Sequence, residues 1–168
     1  KDHPNLLFNP LLEGELRFGQ GCSYGIETML RKSEGKITGW ISYAYTRSTR
    51  ETTDVNNGDV YPATHDRPHN FSINLSGRAG KHWSFASHWI YLSGAPFSSP
   101  TSFYYLNGYA VPVYGEKNND RFPDYHRLDV SASFALSKPE NRFQHTLVLT
   151  VYNAYGRHNP FEQNFNKI

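Results

Sequence analysis

The sequence lacks most of what would mark a helical membrane protein, a nucleic-acid binder or a disulfide scaffold. Its single cysteine, Cys22, excludes an internal disulfide and a cysteine-based zinc cluster. Nowhere do about 18 apolar residues run together, so there is no transmembrane helix. The net charge is only +2 and the sequence holds no basic cluster, so nucleic acid is not implied as a partner. The chain opens Lys1-Asp2-His3-Pro4 without an apolar targeting segment, as expected of a start after processing or inside a longer polypeptide. Hydrophobic residues make up 38% of the 168, too few for a helical membrane protein, whereas aromatics reach 15%, too many for a disordered chain. That balance suits apolar residues spread in one thin layer over alternating strands.

Alternation is what the chain does have, and His69–Ser93 shows it best. Phe71, Ile73 and Leu75 fall on one side, with Asn70, Ser72, Asn74 and Ser76 on the other. After the glycine-containing turn Ala79-Gly80-Lys81-His82, Trp83, Phe85, Trp89 and Tyr91 oppose Ser84, Ala86 and His88. Period two means a strand with one apolar and one polar face, and the short turn makes the pair a hairpin. The same pattern predicts six strands, near 23–32, 37–47, 69–78, 83–93, 125–137 and 143–155, and no helix. In the first strand Tyr24, Ile26, Thr28 and Leu30 oppose Gly25, Glu27 and Met29, which leaves its inner and outer faces open. Trp40 falls on the polar side of the second.

The connections run four residues (33–36), twenty-one (48–68), four (79–82), thirty-one (94–124) and five (138–142). Short and long alternate, so an up-and-down meander would carry tight turns at one end and long loops at the other. Outer-membrane barrels have this asymmetry, whereas soluble sandwiches mix their connections. Each strand is close to the 9–11 or so residues that cross a bilayer at a tilt. Six strands are fewer than the roughly eight of the smallest bacterial barrels, and lipid does not tolerate bare strand edges. The expectation is therefore all-β: an antiparallel up-and-down transmembrane barrel segment, part of one outer-membrane domain with long extracellular loops at 48–68 and 94–124, its outer strands pairing with strands beyond these residues.

Five stretches, GQGCSYGIETMLRK, KITGWISYAYTRSTR, YPATHDRPHNFSI, HWSFASHWIYLSGAPF and DYHRLDVSASF, resemble in order the C-terminal barrel of TonB-dependent outer-membrane receptors of the carboxypeptidase-regulatory-like type. The resemblance covers Gly19–Pro160 and is most specific over Gly19–Gly25, Asp66–His69 and Asp124–Asp129. It implies about six strands of a larger barrel of about 22 strands with a plug in its lumen. It also implies energy-coupled import of a scarce nutrient of the siderophore, glycan or peptide class in a Gram-negative outer membrane. The implied partners are the plug and remaining strands of the same receptor, the TonB complex through an N-terminal part, outer-membrane lipid and, in some members, a surface lipoprotein. A passive porin or structural barrel is the first alternative; a soluble β-sandwich binding module, lectin-like, is the second.

The candidate site residues follow from the two faces and the loops. Asn70, Asn74, Arg78, Arg127 and Asp129 are expected to face the lumen. In the second long loop Tyr104, Tyr105, Tyr109 and Tyr114 are the candidates for ligand contact, because aromatic faces stack on sugar rings or flat chelates. His65, Asp66 and His69 bring two imidazoles and a carboxylate within five residues, a spacing a metal could use. The resemblance favours instead a loop closed on a strand rim by an Asp66–Arg67 pair, so no metal or cofactor is assigned. His126 has no nucleophile or second carboxylate fixed beside it, and no phosphate loop or catalytic triad order is present, so the expectation is no enzyme.

Overall fold

The computed structural model describes residues 18–137 and 142–160. Among them six long strands are joined in chain order: β1 (Gly19–Lys32), β2 (Ile37–Thr52), β4 (His69–Ala79), β5 (Trp83–Leu92), β10 (Tyr125–Ala135) and β11 (Thr146–Val151). Each pairs antiparallel with the next, giving the order β1-β2-β4-β5-β10-β11. β3 (Tyr61–Pro62) adds to the far end of β2. The second long connection holds four more pieces: β6 (Pro96–Phe97) pairs with β9 (Asp120–Arg121), and β7 (Pro100–Leu106) pairs with β8 (Tyr109–Tyr114). A three-residue 3-10 turn at Asn56–Gly58 is the one helical feature of the described residues. None of their helices is long and apolar enough to cross a membrane.

Directly paired residues lie on the same side of a sheet, so the register assigns every face. Ile26 and Leu30 of β1 oppose Tyr45 and Ile41 of β2, which joins the first strand to the apolar side. Ile41 opposes Ile73, Ile73 opposes Trp89, and Trp89 opposes Leu128. Val130 continues this side to Val151, and Ala132 to Leu149. One apolar face therefore runs unbroken across all six strands. Its middle is aliphatic and its ends are aromatic. Near the short turns Trp83 stacks on Phe85 at 5.8 Å, and Trp83 meets Phe134 at 4.8 Å. Toward the long connections Phe71 meets Trp89 edge-on at 5.7 Å, and Trp89 stacks on Tyr91 at 6.3 Å. Eight residue steps separate Trp83 from Tyr91, about 26 Å along a strand at roughly 3.3 Å per residue.

Among the described residues nothing covers this face. Leu30 is 73% exposed, Ile26 68%, Leu149 67% and Leu147 65%, and the buried hydrophobic residues among those described are Tyr61 and Ala63, both in the first long loop. The sheet is a single open layer, with β1 and β11 as its edges and unpaired with each other.

Several boundaries differ from the alternation pattern. β1 begins at Gly19 rather than Ser23, because Gly19–Cys22 ladder against Thr49–Thr52 although Gly-Gln-Gly-Cys alternates nothing. β11 is confined to Thr146–Val151; beyond it Asn153 takes a positive φ of 53° and the chain turns, with the Ala154 amide donating to the Leu128 carbonyl. The turn expected at 138–142 lies, save Arg142, outside the described residues.

Candidate functional site: the joined loops and the polar face

Both long connections sit at the same end of the sheet and are tied together through Asp66. Its side chain is fully buried, although its neighbours His65 and Arg67 are not. Asp66 Oδ1 accepts from the Ser48 amide at 2.7 Å, and Oδ2 takes a guanidinium from each side: Arg47 Nη1 at 3.3 Å and Arg121 Nη2. Arg121 also donates from Nη1 to the Asp66 carbonyl at 2.7 Å and to the Gly94 carbonyl at 3.0 Å. The expected Asp66–Arg67 pair is thus replaced by two arginines distant in sequence. Arg67 instead offers its carbonyl to Thr46 Oγ1 at 3.3 Å.

Two more bridges run beside this one. The Asn56 side chain and the Lys117 backbone exchange hydrogen bonds of 2.6 and 3.2 Å, and buried Asn118 donates from Nδ2 to the Pro62 carbonyl at 2.7 Å. Lys117 Nζ stands 5.9 Å over the ring of buried Tyr61, whose hydroxyl meets Thr52 Oγ1 at 3.0 Å. Residues 48–68 and 94–124 therefore form one connected wall.

The metal-like triad does not come together. Asp66 is committed to its arginines, His65 is exposed, and His69 Nδ1 lies 2.9 Å from the Tyr43 hydroxyl. Among the described residues no three His, Cys, Asp or Glu side chains group as a metal site would require.

Asp124 anchors the far end of the second loop. Its Oδ2 accepts from the Tyr91 hydroxyl at 2.6 Å and its Oδ1 from the Gly94 amide at 3.0 Å. The Tyr91 hydrogen bond above all holds the Asp124 carboxyl below its ordinary range, helped by the Gly94 amide and the charges of Arg157 and His69 against partial desolvation. Gly94 has no room for a side chain, since a Cβ there would lie 1.6 Å from the Phe122 carbonyl oxygen.

The four candidate tyrosines belong to the β7–β8 hairpin, not to an irregular loop. Its turn is Asn107-Gly108, both at positive φ, as a two-residue hairpin turn needs. Tyr104 opposes Val111 and Leu106 opposes Tyr109, so Tyr104 and Tyr109 share one face. Tyr105 opposes Ala110, which puts Tyr105 with Tyr114 on the other face. All four rings are more than half exposed. One flat ligand lying on this hairpin can meet two of them, not four.

Asn70, Asn74, Arg78, Arg127 and Asp129 all lie on the polar face. Arg127 reaches along its own strand to Asp129, with Nε 3.0 Å from both carboxylate oxygens and Nη2 2.8 Å from Oδ2. Its Nη1 donates to the hydroxyls of Tyr125 (2.9 Å) and Tyr152, and the guanidinium lies 4.0 Å over the Tyr152 ring. His88 stands opposite both Asn74 and Asp129, with Nε2 3.2 Å from Ser72 Oγ and its ring 6.5 Å from Trp40. Ile90, Leu92 and Val148 are apolar residues on this same side. His126 lies on the apolar face, its Nδ1 2.7 Å from the Tyr155 hydroxyl and its amide bonded to Asn159. The joining residues Arg47, Asn56, Asn118 and Arg121 carried no signal in the sequence; they are single polar residues in polar stretches.

Comparison with protein-family models, with curated proteins and with solved structures yields no match in any of the three.

Proposed function

We propose that this chain is the barrel portion of a TonB-dependent outer-membrane receptor that imports a nutrient of the siderophore, glycan or peptide class. The observation that carries the membrane part is the single-layer sheet whose apolar face, aliphatic between two aromatic bands, no other described residue covers. A monomeric soluble domain rarely leaves an apolar patch larger than a few hundred Å² in water. In a bilayer the same face meets acyl chains and the aromatic bands meet the interfaces. The two edges, β1 and β11, would continue into neighbouring strands of the closed barrel, since hydrocarbon does not satisfy bare backbone groups. The polar face with Asn70, Asn74, Arg78, Arg127 and Asp129 then lines the lumen. Ile90, Leu92 and Val148 pack against a plug, and the wall built on Asp66 stands at the cell exterior.

Active import rests on the resemblance of the five stretches, and it is tested against a passive porin by energy dependence. Uptake through the full receptor should cease when the proton gradient is collapsed or the inner-membrane energising complex is deleted. Uptake that continues unchanged would make the chain part of a passive channel. A protein that stays monodisperse without detergent would overturn the membrane reading altogether and favour the soluble binding module.

A further inference from the structure

The fold gathers charge that is scattered in the sequence. Arg31, Lys32, Lys36, Arg78, Lys81 and Arg142 lie on or beside the short turns, where Glu34 is the one acid among the described residues. The long connections at the opposite end carry seven acids and four basic residues over 48–68 and 94–124. The short-turn end is therefore a positive collar placed directly beyond the aromatic band of Trp83, Phe85 and Phe134.

Beneath that collar the apolar face is not smooth. Between Ile37 and Leu75 on one side and Phe85 and Val130 on the other, the small residues Gly77 and Ser87 leave a groove of about 480 Å³, and Lys36 stands at its lining. Lys32 falls on the apolar side of β1 by its register parity, and its Nζ would lie 3.9 Å from a Cβ placed on Gly35 in the same turn. Arg31 and Arg78 belong to the polar face. Lys36 and Arg78 line the groove, while Lys81 lies in the turn that joins β4 to β5 beyond it and Lys32 lies across the β1–β2 turn from Lys36.

We infer that this groove holds an acyl chain of an anionic glycerophospholipid whose phosphate is met by Lys36, with Lys32 and Lys81 in the flanking turns adding to its attraction. A long cation at the interface keeps its stem on apolar surface and its head in the phosphate layer. Each basic residue near an anionic lipid surface adds attraction that a zwitterionic headgroup does not return in full. The inference rests on the membrane reading proposed above, and it specifies which lipid the short-turn end retains.

The test uses the full receptor reconstituted in vesicles of equal phosphatidylglycerol and phosphatidylethanolamine, then released for native mass spectrometry. Retained adducts should favour phosphatidylglycerol, and Lys36→Gln should lower that preference about fivefold, with a larger loss in the Lys32→Gln/Lys36→Gln/Lys81→Gln variant. Ser87→Leu, which fills the groove and leaves the charge untouched, should reduce retained lipid of both kinds. A wild-type receptor that inserts but retains both lipids equally overturns the inference and leaves the membrane reading standing, whether or not any variant assembles. Preference that survives the triple substitution overturns it equally. A receptor that does not insert into vesicles removes both.

Discussion

Arg121 closes on Asp66 across fifty-five residues of sequence, one nitrogen on the carboxylate and another on the backbone carbonyl of the same residue. With Arg47 on the other side, the buried carboxylate is the point where the two long connections become one structure. Arg121→Ala should loosen residues 94–124 by about 1.5–3 kcal/mol, the range for hydrogen bonds to a charged group. Asp66→Ala should loosen both loops further, since it releases two guanidiniums and the Ser48 amide at once. Limited proteolysis of the assembled protein measures this as faster cleavage within 94–124. The double variant should cost less than the sum of the singles, because the two residues share one interaction.

The two faces of β4 make a second prediction. Ile73 is flanked by Ile41 and Trp89 on the apolar side, and Asn74 by Trp40 and His88 on the polar side. Ile73→Arg near the bilayer midplane should destabilise the barrel by roughly 2–4 kcal/mol, whereas Asn74→Arg should cost about 1 kcal/mol or less. Reversible unfolding in lipid measures both, and equal costs would contradict the assignment of faces.

The β7–β8 hairpin sharpens the expectation for ligand contact. Tyr104 and Tyr109 share a face with Leu106 and Val111, so a flat ligand lying on that side meets both rings together. Tyr104→Ala/Tyr109→Ala should weaken binding by about 1–3 kcal/mol if these rings stack on the ligand, and Tyr105→Ala/Tyr114→Ala should change it little. Calorimetry on the full receptor distinguishes the pairs, and wild-type affinity in both would remove the hairpin from the binding surface. Assembly should be unaffected, because the hairpin forms its own sheet.

Acid should release the second loop at its Asp124 anchor. A carboxyl held below its ordinary pKa stabilises the folded state above the unfolded value, near 4, and that contribution fades as pH falls through the lower, folded value. Tyr91→Phe removes the principal cause of the lowering, so the Asp124 titration should move up toward the ordinary value and the stability lost on acidification should shrink. Carboxyl carbon NMR of Asp124 follows this directly. An unchanged titration in Tyr91→Phe would show that the hydroxyl does not govern the group.

The all-β, antiparallel character was legible because alternation is a direct imprint of a sheet with unlike faces, as in Phe71–Leu75 and Leu128–Phe134. The side to which β1 belongs was not, since Thr28 and Met29 dilute its two faces; only the pairing of Ile26 with Tyr45 and Leu30 with Ile41 assigns it. The hairpin hidden in 94–124 had a sequence signal, Asn107-Gly108 between aromatic residues, masked by the surrounding Ser, Pro and Tyr. The sequence marks Asp66 as a loop-closing residue but not its partners Arg47 and Arg121. An ion pair between residues 66 and 121 depends on how two loops meet, and no local pattern encodes that.

Whether the long apolar face meets lipid is the claim on which the rest depends. Spin labels placed one at a time at 41, 73, 130 and 149, and at their neighbours 42, 74, 131 and 150, with Cys22 replaced by serine, read it residue by residue in reconstituted vesicles. The account predicts high collision rates with dissolved oxygen and low rates with a water-soluble nickel complex at the first four positions. It predicts low oxygen access at the second four, repeating with period two along each strand. Labels at 41, 73, 130 and 149 that are shielded from both reagents, or reached chiefly by the nickel complex, would contradict it.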